Sequence, residues 1–144
     1  MNILLDTHVF LWCASDPERL PDRARALVLD PESQIHVSAA SIWEIAIKQS
    51  IGRLELDFDL EILDGILAQN GFFSLPVEIR HAALVQRLPF HHKDPFDRIL
   101  VAQALSDPMY LLTSDPLLKP YGEMILFVPP GRPPRSFRRE RQMP

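Results

Sequence analysis

The sequence predicts an α/β fold in which a central, mostly parallel sheet is covered by helices on both faces. Three observations carry that reading. Residues 2–5 (Asn-Ile-Leu-Leu) and 109–113 (Met-Tyr-Leu-Leu-Thr) are short apolar runs without alternation, as expected of strands buried on both faces. Such runs alternate along the chain with segments of helical periodicity, the pattern of βαβ units. An acid closes each of the two runs, Asp6 directly and Asp115 after Thr113-Ser114. Both acids would therefore stand at the carboxyl edge of a sheet, where open α/β folds bind ligands.

The 144 residues fit one domain, a size that buries about two-thirds of the unfolded surface. Residues 1–128 read as the globular unit and 129–144 as a Pro/Arg-rich tail with too few apolar residues to order itself. Charge is uneven. Residues 132–144 hold five Arg against one Glu, whereas the rest of the chain holds 10 basic against 18 acidic residues, a net of −8. An acidic globule does not carry the usual footprint of a passive nucleic-acid binder and suits a site that needs cations. Cys13 stands alone, so no internal disulfide forms and a reducing cytoplasm is expected. No apolar run approaches the roughly 18 residues of a membrane span. The apolar start lacks the basic flank of a signal peptide.

After the first strand, residues 9–14 read as helical. Residues 21–29 form a second helix with Ala24, Leu27 and Val28 on one face, and 34–37 a short strand. Ser38 caps a helix over 39–50 that is apolar almost all round; Ser41, Glu44 and Lys48 make one narrow polar stripe. An acid on a mostly buried helix needs a partner, although an exposed Glu44–Lys48 pair is the plainer alternative. An amphipathic helix is expected over 59–70, a brief strand over 72–75, a further helix over 77–88 and a last strand over 125–128.

Residues 91–104, His-His-Lys-Asp-Pro-Phe-Asp-Arg-Ile-Leu-Val-Ala-Gln-Ala, place two acids at the mouth of an apolar helix. Asp94 reads as N-cap with Pro95 at the first helical position, and Asp97 falls in the first turn, where a carboxylate suits the free N–H groups. His91 and His92 are adjacent, so both rings are not expected to reach one metal; they read as loop residues. Two acids that merely start a helix would explain this stretch, since Asp-Pro occurs five times in the chain. The other inward-looking acids argue for more. Asp6, Glu44, Asp97 and Asp115 each have a reason to face one sheet edge, and carboxylates without Cys or usable His ligands suit Mg²⁺ or Mn²⁺. Such ions bind phosphate oxygens and support in-line displacement. The chain lacks a Gly-rich phosphate loop, a dinucleotide fingerprint and a Gly-x-Ser-x-Gly elbow.

Leu-Leu-Asp6-Thr-His, Trp43-Glu44-Ile-Ala, Asp94-Pro-Phe-Asp97-Arg-Ile-Leu-Val-Ala-Gln-Ala and Leu-Leu-Thr-Ser-Asp115 together resemble the PIN-domain ribonucleases, above all the VapC-type toxins of bacterial toxin–antitoxin pairs. The resemblance covers about residues 1–128. It implies a PIN-like α/β/α sandwich and a Mg²⁺- or Mn²⁺-dependent endoribonuclease that hydrolyses RNA with metal-bound water, leaving a 5′-phosphate and a 3′-hydroxyl. It also implies a homodimer and an antitoxin that blocks the site. The family's acidic positions fall on Asp6, Glu44, Asp97 and Asp115. Thr7 and Ser114 would be supporting hydroxyls, Asp94 an N-cap or outer ligand, and Arg98 either a contact to substrate phosphate or a surface arginine. Competing readings are an RNA-processing nuclease without a toxin role, a non-catalytic binding module on the same fold, and a receiver-type domain phosphorylated on Asp.

Overall fold

The computed structural model describes residues 1–131. Five strands form one sheet: β1 (Asn2–Leu5), β2 (Gln34–Ser38), β3 (Phe73–Leu75), β4 (Tyr110–Thr113) and β5 (Ile125–Phe127). Their order is β3-β2-β1-β4-β5, and all four pairings are parallel. Neither β1 nor β4 alternates in polarity because both lie inside the sheet with both faces covered. Ile3, Leu5 and Leu112 pack with Val9 and Phe10 on one face, while Leu4 and Leu111 pack with Leu100, Val101 and Ala104 on the other. The predicted α/β/α layering therefore holds.

The helices are α1 (Thr7–Ser15), α2 (Asp22–Leu29), α3 (Ala39–Ser50), α4 (Leu63–Gln69), α5 (Ile79–Leu84) and α6 (Pro95–Ser106). Two are shorter than expected. The helix predicted over 59–70 opens as a 3-10 turn, Leu60–Ile62, because the Asp59 carboxylate accepts the Glu61 N–H and tightens the entry. The helix predicted over 77–88 starts only after Glu78, whose backbone N–H is taken by His81 Nδ1, and relaxes into a 3-10 turn at Val85–Arg87 before Pro89. α3 has the predicted bounds, and Glu44 is buried as expected of an acid facing the sheet edge, but the helix is not apolar and buried all round. Its polar stripe turns inward, with Ser41 and Glu44 buried, while Trp43 is 63% and Ile47 38% exposed. Among the described residues, no helix is long and apolar enough to cross a membrane.

Strand order fixes where a site can form. The chain lays β2 and β3 on one side of β1, then returns to lay β4 and β5 on the other. The carboxyl ends of β1 and β4 thus flank the point where the winding reverses, the crevice that α/β sheets use for ligands. Leu5 and Leu112 are in register there, and the Asp6 N–H donates to the Leu112 carbonyl at 3.0 Å.

Candidate active site

Asp6 is held at the end of β1 by two donors. Its Oδ1 accepts the Val9 N–H at 2.9 Å, capping α1, and its Oδ2 accepts the Thr113 hydroxyl. The carboxylate is almost wholly buried, and that desolvation raises its pKa; the Thr113 and Val9 bonds pull it back, and Asp115 pushes it up again. Thr113 works in two directions, since its Oγ1 also accepts the Asp115 N–H at 3.0 Å. One hydroxyl at the end of β4 therefore ties both strand-end acids together.

Asp115 caps the 3-10 turn Pro116–Tyr121 through Oδ1, which accepts the Leu117 N–H at 2.9 Å, and its Oδ2 meets His92 Nε2 at 2.7 Å. The same Nε2 lies 3.3 Å from Asp97 Oδ2. Asp97 stands in the first turn of α6, whose N-cap is Asp94: the Asp94 carboxylate accepts the Phe96 N–H at 2.8 Å. Burial is the main reason the Asp97 pKa rises from 3.8 to about 7; Asp94, Asp6 and Glu44 add to it, and His92 opposes it. These interactions place Asp6, Glu44 and Asp97 in one electrostatic neighbourhood, with Asp115 reached through Asp6 and through His92.

Glu44 enters from α3. Its Oε2 takes Lys48 Nζ at 2.7 Å, so the helical pair foreseen at four-residue spacing exists, but the Glu44 side chain is only 6% exposed while Lys48 reaches solvent. Glu44 Oε1 is buried and has no hydrogen-bond partner among the described residues. A buried carboxylate oxygen left without a donor is costly. Together with an all-oxygen set of neighbouring acids, it fits a divalent cation that supplies the missing positive charge.

The contacts of Arg98, Thr7 and Ser114 are as follows. Arg98 is not a surface arginine. It is 5% exposed, donates to the carbonyls of Pro89 (2.9 Å), Val85 (3.1 Å) and Leu88 (3.3 Å) and to the Tyr121 hydroxyl (3.2 Å), and lies over the Phe90 ring. The run from Val85 to His92 leaves the 3-10 turn with carbonyls that need further donors, and one five-donor guanidinium reaches three of them, supplementing the Leu88 N–H at Val85 and the Tyr121 hydroxyl at Pro89. Thr7 turns its hydroxyl away to Ser41 Oγ at 3.0 Å, joining α1 to α3. Ser114 Oγ is buried and makes no hydrogen bond among the described residues.

His92 and Thr113 escaped the sequence reading. The two adjacent histidines were set aside because both rings cannot reach one point. Adjacency also means that they face different ways: His91 packs edge-on against Tyr121, and His92 turns inward between Asp97 and Asp115. Their nearest oxygen and nitrogen atoms lie within 4.8 Å of one another. For Thr113, the signal was a hydroxyl two residues before a strand-end acid.

A family profile described as PIN domain matches residues 3–123. The chain belongs to the PIN domain family. Its architecture is similar to solved structures of the same extent. The crystal structure of VapBC2 from Rickettsia felis bound to a DNA fragment from their promoter contains a chain that matches with a TM-score of 0.63 at 13% identity, over 90% of this chain and 98% of that one. FitAcB from Neisseria gonorrhoeae matches at 0.58 and 20% identity, over 88% and 97%. A toxin–antitoxin complex from Klebsiella pneumoniae matches at 0.56 and 16%, over 86% and 95%. At these identities the likeness is one of fold. No curated protein sequence matches the chain.

Proposed function

We propose that this PIN domain is a Mg²⁺- or Mn²⁺-dependent endoribonuclease and the toxin of a toxin–antitoxin pair. The observation that carries the reading is a buried Glu44 oxygen without a donor among the described residues, near an Asp97 whose pKa is raised to about 7 first by burial and then by Asp94, Asp6 and Glu44. A fold rarely gathers this many partly buried carboxylates, with only Lys48, among the described lysines and arginines, paired to one of them, unless a cation completes the site.

In this reading Asp6, Glu44 and Asp97 hold the ion, and Asp115, with both oxygens already accepting hydrogen bonds, contributes less directly. When bound, the ion would supply a nucleophile from water and stabilise charge on the scissile phosphate and the leaving oxygen. The chain's own contribution is orientation. Thr113 and the Val9 N–H fix the Asp6 carboxylate, the α6 N-terminus fixes Asp97, and α3 fixes Glu44. The Glu44 contact to Lys48 leaves one oxygen for the ion and places an ammonium at the rim, where it suits an RNA phosphate.

The toxin reading rests on fold likeness to structures such as the Klebsiella toxin–antitoxin complex. An open apolar groove supports a protein partner. Phe10, Phe58, Ile66, Leu67 and Phe72 line it, away from the acids. Trp43 and Ile47, exposed on α3, support a homodimer.

The deciding experiment is an RNA cleavage assay on metal-stripped protein. Cleavage should return with Mg²⁺ or Mn²⁺ and should be lost in Asp97→Asn. Full cleavage in EDTA would sink the nuclease mechanism. Growth arrest on expression, relieved by the adjacent gene, tests the toxin role separately, and sizing the purified chain tests the dimer.

A further inference from the structure

The site contains one nitrogen donor among oxygens, and its geometry decides what that nitrogen does. His92 has both ring nitrogens engaged. Nδ1 lies 3.0 Å from the Asp94 backbone nitrogen, which has only a proton to offer, so Nδ1 accepts. A ring nitrogen that accepts carries no hydrogen, and the ring's proton is therefore on Nε2. Nε2 faces Asp115 Oδ2 at 2.7 Å and Asp97 Oδ2 at 3.3 Å.

We infer that His92 is a positioning residue rather than a metal ligand: its Nε2–H donates to the Asp115 carboxylate and stands against Asp97 Oδ2, so that the other Asp97 oxygen is the one left for the ion. A histidine that ligates through Nε2 needs a bare lone pair there and donates its other N–H to an acceptor. Here the second nitrogen faces a backbone donor instead. Coordination would require the ring to give up the Asp94 N–H and reverse its tautomer, leaving a backbone donor unpaired at the start of α6. The single N–H makes its hydrogen bond to Asp115, while Asp97 Oδ2 at 3.3 Å is a close polar contact outside hydrogen-bond geometry. It thus fixes Asp115 firmly while leaving Asp97 free to face Asp6 and Glu44.

Other groups hold the ring in place. The His92 backbone N–H donates to the Tyr121 hydroxyl at 3.2 Å, and that hydroxyl donates to the Pro89 carbonyl at 2.7 Å and accepts from Arg98. The buried arginine thereby acts on the site without touching it, by fixing the loop from which His92 is presented.

The inference rests on the metal-site reading, so the test has one arm that needs no metal. Nitrogen-15 imidazole spectra of the metal-free full chain should show His92 with its proton on Nε2; a proton on Nδ1 overturns the proposal. In the second arm, Mn²⁺ binding is followed by electron spin resonance in wild type, His92→Asn and His92→Gln. Asparagine places an oxygen where Nδ1 was, so it keeps the bond to the Asp94 N–H and the fold, but it cannot reach the carboxylates. Glutamine places an N–H near the position of Nε2. The Mn²⁺ dissociation constant should rise roughly 10- to 100-fold in His92→Asn, the range for losing a group that orients metal ligands, and recover to within a few-fold in His92→Gln. Spin-echo modulation in wild type should show no directly bound nitrogen. A bound nitrogen, or equal affinity in wild type and His92→Asn, overturns the proposal. If wild type binds no Mn²⁺, the metal reading of the site fails by itself, and the nitrogen-15 spectrum still decides whether Nε2–H is there to hold Asp115.

Discussion

Replacing Asp97 by Asn should stabilise the metal-free protein at neutral pH and abolish cleavage. The Asp97 carboxyl is raised from 3.8 to about 7, first by burial and then by Asp94 and Asp6. At about 1.4 kcal/mol per pKa unit, the ionised form costs the fold on the order of 4 kcal/mol. The sign follows from proton uptake. Between pH 3.8 and about 7 the folded protein holds a proton at Asp97 that the unfolded chain has released, so stability falls as pH rises through that window and is flat above it. Asparagine has no charge to bury and no such dependence. Little capping is lost, because the side chain that accepts a helix N–H is that of Asp94.

The assay is a series of thermal melts of both proteins in EDTA from pH 4 to pH 8.5, repeated with Mg²⁺. Near pH 4 the two should melt together. Above pH 7 the variant should melt higher by roughly 5–12 °C, taking 2–4 °C per kcal/mol and allowing for relaxation around the charge. Saturating Mg²⁺ should reverse the order, because only wild type gains the full binding energy. A variant that is less stable at every pH, with or without metal, would show that Asp97 is a plain helix starter and that the acids do not repel one another.

Four further outcomes are expected. Apparent Mg²⁺ affinity should weaken as pH falls below about 7, because the proton on Asp97 competes with the ion; titration calorimetry at three pH values would show a flat profile if Asp97 is not a ligand. Arg98→Met should cost about 1–3 kcal/mol in urea unfolding, since the Leu88 carbonyl loses its donor while those of Val85 and Pro89 keep the Leu88 N–H and the Tyr121 hydroxyl; a variant of unchanged stability with weakened RNA binding would point to a substrate contact instead. Asp94→Asn should keep the α6 cap and lower the Asp97 pKa, because Asp94 is the largest of the charges that raise it; carbon-13 carboxyl titration would read this, and no shift would refute it. Deleting residues 132–144, which lie outside the described residues, should leave the melting temperature unchanged and weaken RNA binding. With five arginines lost, the salt slope should flatten by up to about 3, and an unchanged slope would show that the tail does not meet RNA.

The sequence made the layering legible because burial on both faces leaves a plain mark: apolar runs without alternation at β1 and β4. It made the acids legible for a related reason. An acid directly after such a run has nowhere to go but the sheet edge, and Asp6 and Asp115 are there. Glu44 was harder, since an i, i+4 pair with Lys48 is what a solvated helix face also shows. Only packing reveals that this face is turned inward while Trp43 faces out. The burial of Arg98 is not legible, because a lone arginine in a first turn gives no hint that the preceding loop will close over it. His92 was missed because its role depends on which way one ring of an adjacent pair turns, and the deciding contact is a backbone N–H two residues later.

The reading of these aspartates as helix starters and their reading as a charged site are not alternatives. Asp6 caps α1, Asp94 caps α6 and Asp115 caps a 3-10 turn, and all three are neighbours of the site. A cap fixes a carboxylate within a fraction of an ångström and turns the positive end of the following helix toward it. α1 and α6, opening beside β1 and β4, thus direct their amino ends at the same crevice. Those partial positive charges let the chain fold around acids that would otherwise repel, and they do so without consuming every carboxylate oxygen. What the caps leave over, Glu44 Oε1 and the side of Asp97 that His92 does not touch, is what a cation can use. Two of the five Asp-Pro pairs, Asp94-Pro95 and Asp115-Pro116, thus belong to the geometry on which the functional role depends, and for them the local and the functional readings coincide.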